Sequence, residues 1–196
     1  MRNAQRILAI FGAVLVAMFV VACGGNSDED QITEVIQTSV KSTDPADCTK
    51  LQTAQFLQQT EFAVGPDALK QCQDNAANTA DNPDSVDVKD IKVDGTNATA
   101  NVTFHGGTFD GSTITVALIK DGDQWKLDKI TAIPTFDVQA FIRNFSDQLI
   151  AQGKTPQSVI SCLTNAISKV GPDQLKQVLI SGDSSQLTAL FAPCRT

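Results

Sequence analysis

Five cysteines carry the clearest covalent chemistry in this chain: Cys23, Cys48, Cys72, Cys162 and Cys194. A thiolate can ligate zinc, attack an electrophile or close a disulfide, and spacing separates these uses. No two cysteines stand at CxxC spacing and none has a histidine nearby, which argues against a zinc site or an activated thiol. Disulfide formation remains, and it requires an oxidising compartment.

The other titratable candidates are weaker. His105 is the single histidine and lies beside Gly106 and Gly107, in what reads as a loop. As a general base it needs an acidic partner, and Asp90 is the one considered. The simpler reading is a solvated loop residue. Asp81, Asp84, Asp87, Asp90 and Asp94 form an acidic run that could suggest calcium. The run lacks the loop pattern with a terminal Glu, and three-residue spacing on a strand puts neighbours on opposite faces. It reads as a charged strand edge, a device that blocks edge-to-edge association. There is no Gly-rich phosphate loop, no Ser nucleophile with a partner base and no His cluster for a metal. No catalytic residue, metal or cofactor is therefore assigned.

The residues ahead of Cys23 give that cysteine a separate fate. Arg2 and Arg6 precede an uncharged run over residues 7–22, interrupted only by Gly12. A spanning helix needs about 20 apolar residues, so this run suits the h-region of a signal peptide better. Val20-Val21-Ala22-Cys23 resembles a bacterial lipobox. That resemblance implies a diacylglyceryl group on the Cys23 thiol and cleavage before it. Two acyl chains hold a protein on a bilayer where one does so only marginally. An ordinary signal peptide with a chance cysteine and an uncleaved anchor helix are the competing readings. The expectation is a signal peptide over 1–22, a flexible tether over 23–30 and a domain on the extracytoplasmic face of the cell membrane. Gly24-Gly25-Asn26-Ser27-Asp28-Glu29-Asp30 is small, acidic and tether-like in composition.

With Cys23 lipidated, four cysteines remain, an even set in an exported chain. Three pairings are possible. Cys48–Cys72 and Cys162–Cys194 are preferred, because each pair falls inside one helical region and the two regions flank the strands. Without Arg2 and Arg6, 13 basic residues face 22 acidic ones, which argues against a nucleic-acid partner and against electrostatic docking on anionic lipid.

These residues need elements to position them. Ile32, Val35, Ile36 and Val40 stand at helical spacing. Asp44-Pro45 starts a second helix running to about Glu61, and Gly65-Pro66-Asp67 a third through Cys72. The period then changes to two. Val86, Val88, Ile91 and Val93 suggest a strand ending at Asp94-Gly95, a hairpin signal. Ala98, Ala100, Val102 and Phe104 alternate with polar residues in a second strand. Ile114, Val116 and Leu118 give a third, and Trp125 and Leu127 a fourth, before Ile130 and Ile133 lead out to Pro134. After Pro134 the pattern is helical again. Asp137 caps a helix ended by Gly153, and Thr155-Pro156, Gly171-Pro172-Asp173 and Asp183 open three more. Val64-Gly65-Pro66-Asp67-Ala68-Leu69-Lys70-Gln71 is echoed at Val170-Gly171-Pro172-Asp173-Gln174-Leu175-Lys176-Gln177, with flanks that do not align. The echo reads as a good helix start used twice.

The fold class is thus α+β: helices, a four-stranded antiparallel sheet, then a C-terminal segment of about four helices. Two stretches narrow this further: Val93-Asp94-Gly95-Thr96-Asn97-Ala98-Thr99-Ala100-Asn101-Val102, and the hairpin Asp121-Gly122-Asp123-Gln124-Trp125-Lys126. Helices followed by a meander with these turns resemble the NTF2-like superfamily, and more narrowly the small exported NTF2-like lipoproteins of actinobacteria. The resemblance covers about Asp28 to Ile133. It implies an α+β domain over 31–133 whose curved sheet wraps a helix into a cone, and leaves 135–196 as a C-terminal helical domain. Fold does not decide function. Enzymes of the superfamily place an Asp or His base with Tyr or Asp donors in the cone, whereas this chain has no Tyr. The expectation is a non-enzymatic lipoprotein that binds a small apolar ligand or an envelope protein. A pocket would be lined by Val102, Phe104, Val116, Leu118 and Trp125. One alternative is an interaction scaffold that docks through its C-terminal helices. The other is an NTF2-like enzyme using an Asp with His105.

Overall fold

The computed structural model describes residues 27–79 and 82–194. Cys23 and residues 24–26 lie outside that range, as does Asp81 of the acidic run.

Helix α1 is Asp28–Ser39. Ser27 caps it: its hydroxyl accepts from the Asp30 amide at 3.1 Å, and the Asp30 carboxylate accepts from the Ser27 amide at 3.2 Å. Asp28, Glu29 and Asp30 fill the first turn, where negative charge complements the helix dipole. Asp28, Glu29 and Asp30, expected in a tether, belong to the helix, because a Ser three residues before an Asp makes a capping box.

Helices α2 (Asp47–Lys50), α3 (Ala54–Glu61) and α4 (Pro66–Asn75) follow. The single helix expected from Pro45 to Glu61 is interrupted at residues 51–53. That stretch pairs with strand β4 (Gln124–Thr135): the Leu127 amide donates to the Leu51 carbonyl at 2.8 Å, and the Thr53 amide to the Leu127 carbonyl at 2.9 Å. The Thr53 hydroxyl then caps α3 by accepting from the Phe56 amide.

The sheet is a four-stranded antiparallel meander: β1 (Ser85–Asp94), β2 (Asn97–His105), β3 (Thr113–Asp121) and β4, in that spatial order. Two-residue turns led by Gly95 (φ 60°) and Gly122 (φ 63°) join the first and last pairs. In the register, Ala98 faces Leu118, Ala100 faces Val116 and Val102 faces Ile114, so one side of the sheet is apolar. A bulge between Lys89 and Lys92 breaks edge strand β1, with Asp90 at φ 54° and its carboxylate on the Asn101 side-chain amide. A bent, charged edge resists further strand addition.

Helix α5 (Val138–Gln152) is capped by Asp137 and stopped by Gly153. Helices α6 (Gln157–Ser168), α7 (Pro172–Ser181) and α8 (Ser184–Phe191) follow, and a 3-10 turn at Ala192–Cys194 ends the described chain. The echoed octapeptides start α4 and α7 through different backbones: Gly65 has φ 55° and ψ −131°, Gly171 φ −65° and ψ 149°. Cys48–Cys72 joins α2 to α4, and Cys162–Cys194 joins α6 to the 3-10 turn.

The C-terminal helices share a core with the sheet. Leu179 and Ile180 of α7 pack on the sheet's apolar cluster. The Gln59 side chain fastens three elements: its Oε1 accepts from the Ile130 amide at 2.7 Å, and its Nε2 donates to the carbonyls of Ile130 and Ile180. Gly182 ends α7 against this joint at φ 61°, and a Cβ there would stand 2.4 Å from the Gln59 Cα and 2.9 Å from the Gln58 carbonyl oxygen. Gly182→Ala combines left-handed strain with a backbone clash, so a loss of about 2–4 kcal/mol in urea unfolding is expected.

Candidate functional site

The five residues named as a pocket lining converge on one face of the sheet, and helix α1 lies on it. Val102, Leu118 and Trp125 are 1% exposed and Val116 2%. Ile32 and Ile36 of α1, at 0% and 1%, pack in one cluster with this face and with Phe56. These lining residues form a packed core, because α1 presents two branched side chains one helical turn apart to the alternating face of β2 and β3. Phe104, half-buried, continues the apolar layer toward the C-terminal helices. It meets Phe109 at 6.0 Å, and Phe109 meets Phe141 at 5.4 Å. Phe136 and Phe145 extend the aromatic row from Phe141, at 5.3 and 6.1 Å.

Openings lie on the outside of α1. One open groove of about 470 Å³ has Val35, Leu51 and Trp125 among its walls, with Glu34, Lys50 and Asp123 at its polar rim. Beside it sits a clasp that residue spacing does not reveal. One Asp28 oxygen accepts from Lys120 Nζ at 2.6 Å and from Trp125 Nε1 at 2.9 Å, and the Lys120 ammonium stands 5.5 Å from the Trp125 ring centre. These bonds, that from Lys120 first, hold the Asp28 carboxyl below the ordinary carboxylate range. Because the folded value is lowered, the clasp stabilises above the unfolded carboxylate pKa of about 3.9 and is lost as pH falls through the folded value. Asp28→Asn should therefore flatten the acid limb of a stability–pH profile below about pH 4, measured by thermal unfolding.

His105 has a different neighbour from the one considered from sequence. Its Nε2 lies 3.4 Å from Asp87, while Asp90 bonds Asn101. In the register Ser85 faces His105, so Asp87 is its diagonal neighbour, and the bulge takes Asp90 elsewhere. The His105 hydrogen bond is the first cause, and Lys89 the second, of a lowered Asp87 carboxyl. Both side chains are about half exposed on the polar outer face of the sheet. Among the described residues no group of His, Cys, Asp or Glu is placed to hold a metal ion. Nor is any helix among them long and apolar enough to cross a membrane.

The C-terminal layer is the remaining candidate surface. Helix α8 carries Leu187, Leu190 and Phe191, yet none of its residues is fully buried. On α5, Ile150 is 50% exposed. No protein-family model, curated protein or solved structure matches the chain.

Proposed function

We propose that this chain is an exported, lipid-anchored, non-enzymatic lipoprotein that binds an envelope protein through its C-terminal helices. Cys23 carries the lipid, and the domain stands on the extracytoplasmic face of the cell membrane. The two disulfides support an oxidising compartment. The sheet-and-helix part is read as NTF2-like on the residues that carry that resemblance.

One observation favours a protein partner over a small apolar ligand: the apolar face of the sheet is packed against the buried Ile32 and Ile36 of α1. Charge supports the choice of surface. Residues 23–134 hold 18 acidic and 8 basic side chains, whereas residues 135–196 hold 4 and 5. Interface cores are depleted of charge, and the C-terminal part is both near neutral and apolar.

The test is native mass spectrometry of the lipidated chain extracted from its own host. The expected result is a retained protein, lost from an Ile150→Glu variant that stays folded, and a diacylglyceryl mass on Cys23. A small apolar ligand retained by both forms, with no protein bound, would overturn the partner reading. A Cys23→Ala chain that is still processed and membrane-bound would overturn the anchor.

A further inference from the structure

We infer that the domain stands end-on to the membrane, with the β3–β4 hairpin at the bilayer and helices α5 and α6 at the far end. This rests on the proposed lipid at Cys23. Four residue steps separate Cys23 from the cap Ser27. At full extension they span about 14 Å, so the start of α1 stays that close to the acyl chains. Helix α1 cannot swing freely about that point. Asp28, its first residue, is bonded to Lys120 at the end of β3 and to Trp125 at the start of β4. The hairpin turn at Gly122 and Asp123 is therefore held beside the anchor.

Strand β4 then measures the distance outward. Its 12 residues run from Gln124, beside the clasp, to Thr135. At about 3.3 Å per residue that is roughly 35 Å. Helix α5 begins just beyond, and its side chains bind the opposite end of the sheet: Asn144 donates to the Gly107 carbonyl at 3.1 Å and Thr108 bonds Gln148. Helix α6 packs on α5. The α5–α6 face is thus carried to the distal end of the sheet, out of reach of the bilayer that holds the lipid. The partner of α5 and α6 is accordingly a protein that projects from the membrane or is soluble outside it.

Trp125 is the only tryptophan, a built-in reporter at the near end. The full lipidated chain is placed in phosphatidylcholine vesicles with dansyl-labelled headgroups. Flotation is read first, then energy transfer from tryptophan to dansyl. The wild type should float and show strong transfer. Ile150→Trp leaves Trp125 and its clasp intact and adds an indole to α5, two residues past Gln148, which bonds Thr108 at the far end of the sheet. Its fractional transfer should be about twofold lower, because the added emitter sits on the helix bound to the far end of the sheet, a strand length of roughly 35 Å from the clasp. Equal or greater transfer in Ile150→Trp would overturn the end-on placement while leaving the anchor standing. A wild-type chain that fails to float would overturn the anchor, and the placement with it.

Discussion

Replacing Ile36 by alanine should cost about 3 kcal/mol in equilibrium unfolding, within the range found for truncating fully buried isoleucines. Ile36 is 1% exposed and belongs to the cluster that includes Ile32, Leu118 and Trp125. The sheet behind it is held by its own hydrogen-bonded ladders and cannot collapse inward to fill the space. The loss should therefore include a cavity contribution as well as the lost transfer energy. Ile150→Ala, on a half-exposed side chain, is the control and should fall within about 0.5 kcal/mol. A second readout bears on function. The cavity left by Ile36→Ala lies on the face where a cone-shaped ligand pocket was expected, so the variant should gain affinity for small apolar probes that the wild type lacks. A cost well under 1 kcal/mol, or probe binding by the wild type, would mean that α1 does not close off the sheet's apolar face and would restore the ligand reading.

The sheet was legible in the residues because its signals are local. The alternation from Ala98 to Phe104 and the turns at Gly95 and Gly122 specify strands and reversals without reference to the rest of the chain. Most of the features missed have partners that are remote in sequence. The break at residues 51–53 is stabilised by Leu127, and Gln59 serves as a surrogate strand for Ile130 and Ile180. Asp28 reads as part of a tether until Lys120 and Trp125 are placed beside it. A Gln or Asp on a helix gives no sign of which distant backbone or indole it will meet. His105 shows the same limit at short range: choosing Asp87 over Asp90 required the register and the bulge. The helix packed over the candidate lining was hidden for a related reason. Alternation identifies which side chains share a face, but the helix that covers that face lies about 70 residues upstream.

Removing the second disulfide, by Cys162→Ser with Cys194→Ser, should cost about 3–4 kcal/mol, the loop-entropy value for a closed loop of 32 residues. Its spatial pattern is the sharper test. Helix α8 has no fully buried residue: half-buried Leu190 and Phe191 pack on the Phe141, Ile167 and Leu175 cluster, and the bridge fastens the 3-10 turn that follows it. Amide exchange should therefore lose protection first in α8 and the 3-10 turn, then in α6, while β2 and β3 keep theirs. Removing Cys48–Cys72 closes a comparable loop of 24 residues but should give a different map. Cys48 is 3% exposed and packs with Leu57 and Ala68, so its loss should loosen α2 and α4 together with the end of α3. If both double variants lost protection uniformly, the two braces would not be acting on separate regions. The C-terminal layer would then unfold only with the sheet. If instead the first variant frays α8 alone and also releases the envelope partner, the docking face requires the Cys162–Cys194 bridge. Ile150→Glu would release the partner with α8 still protected, which separates loss of the surface from loss of its support.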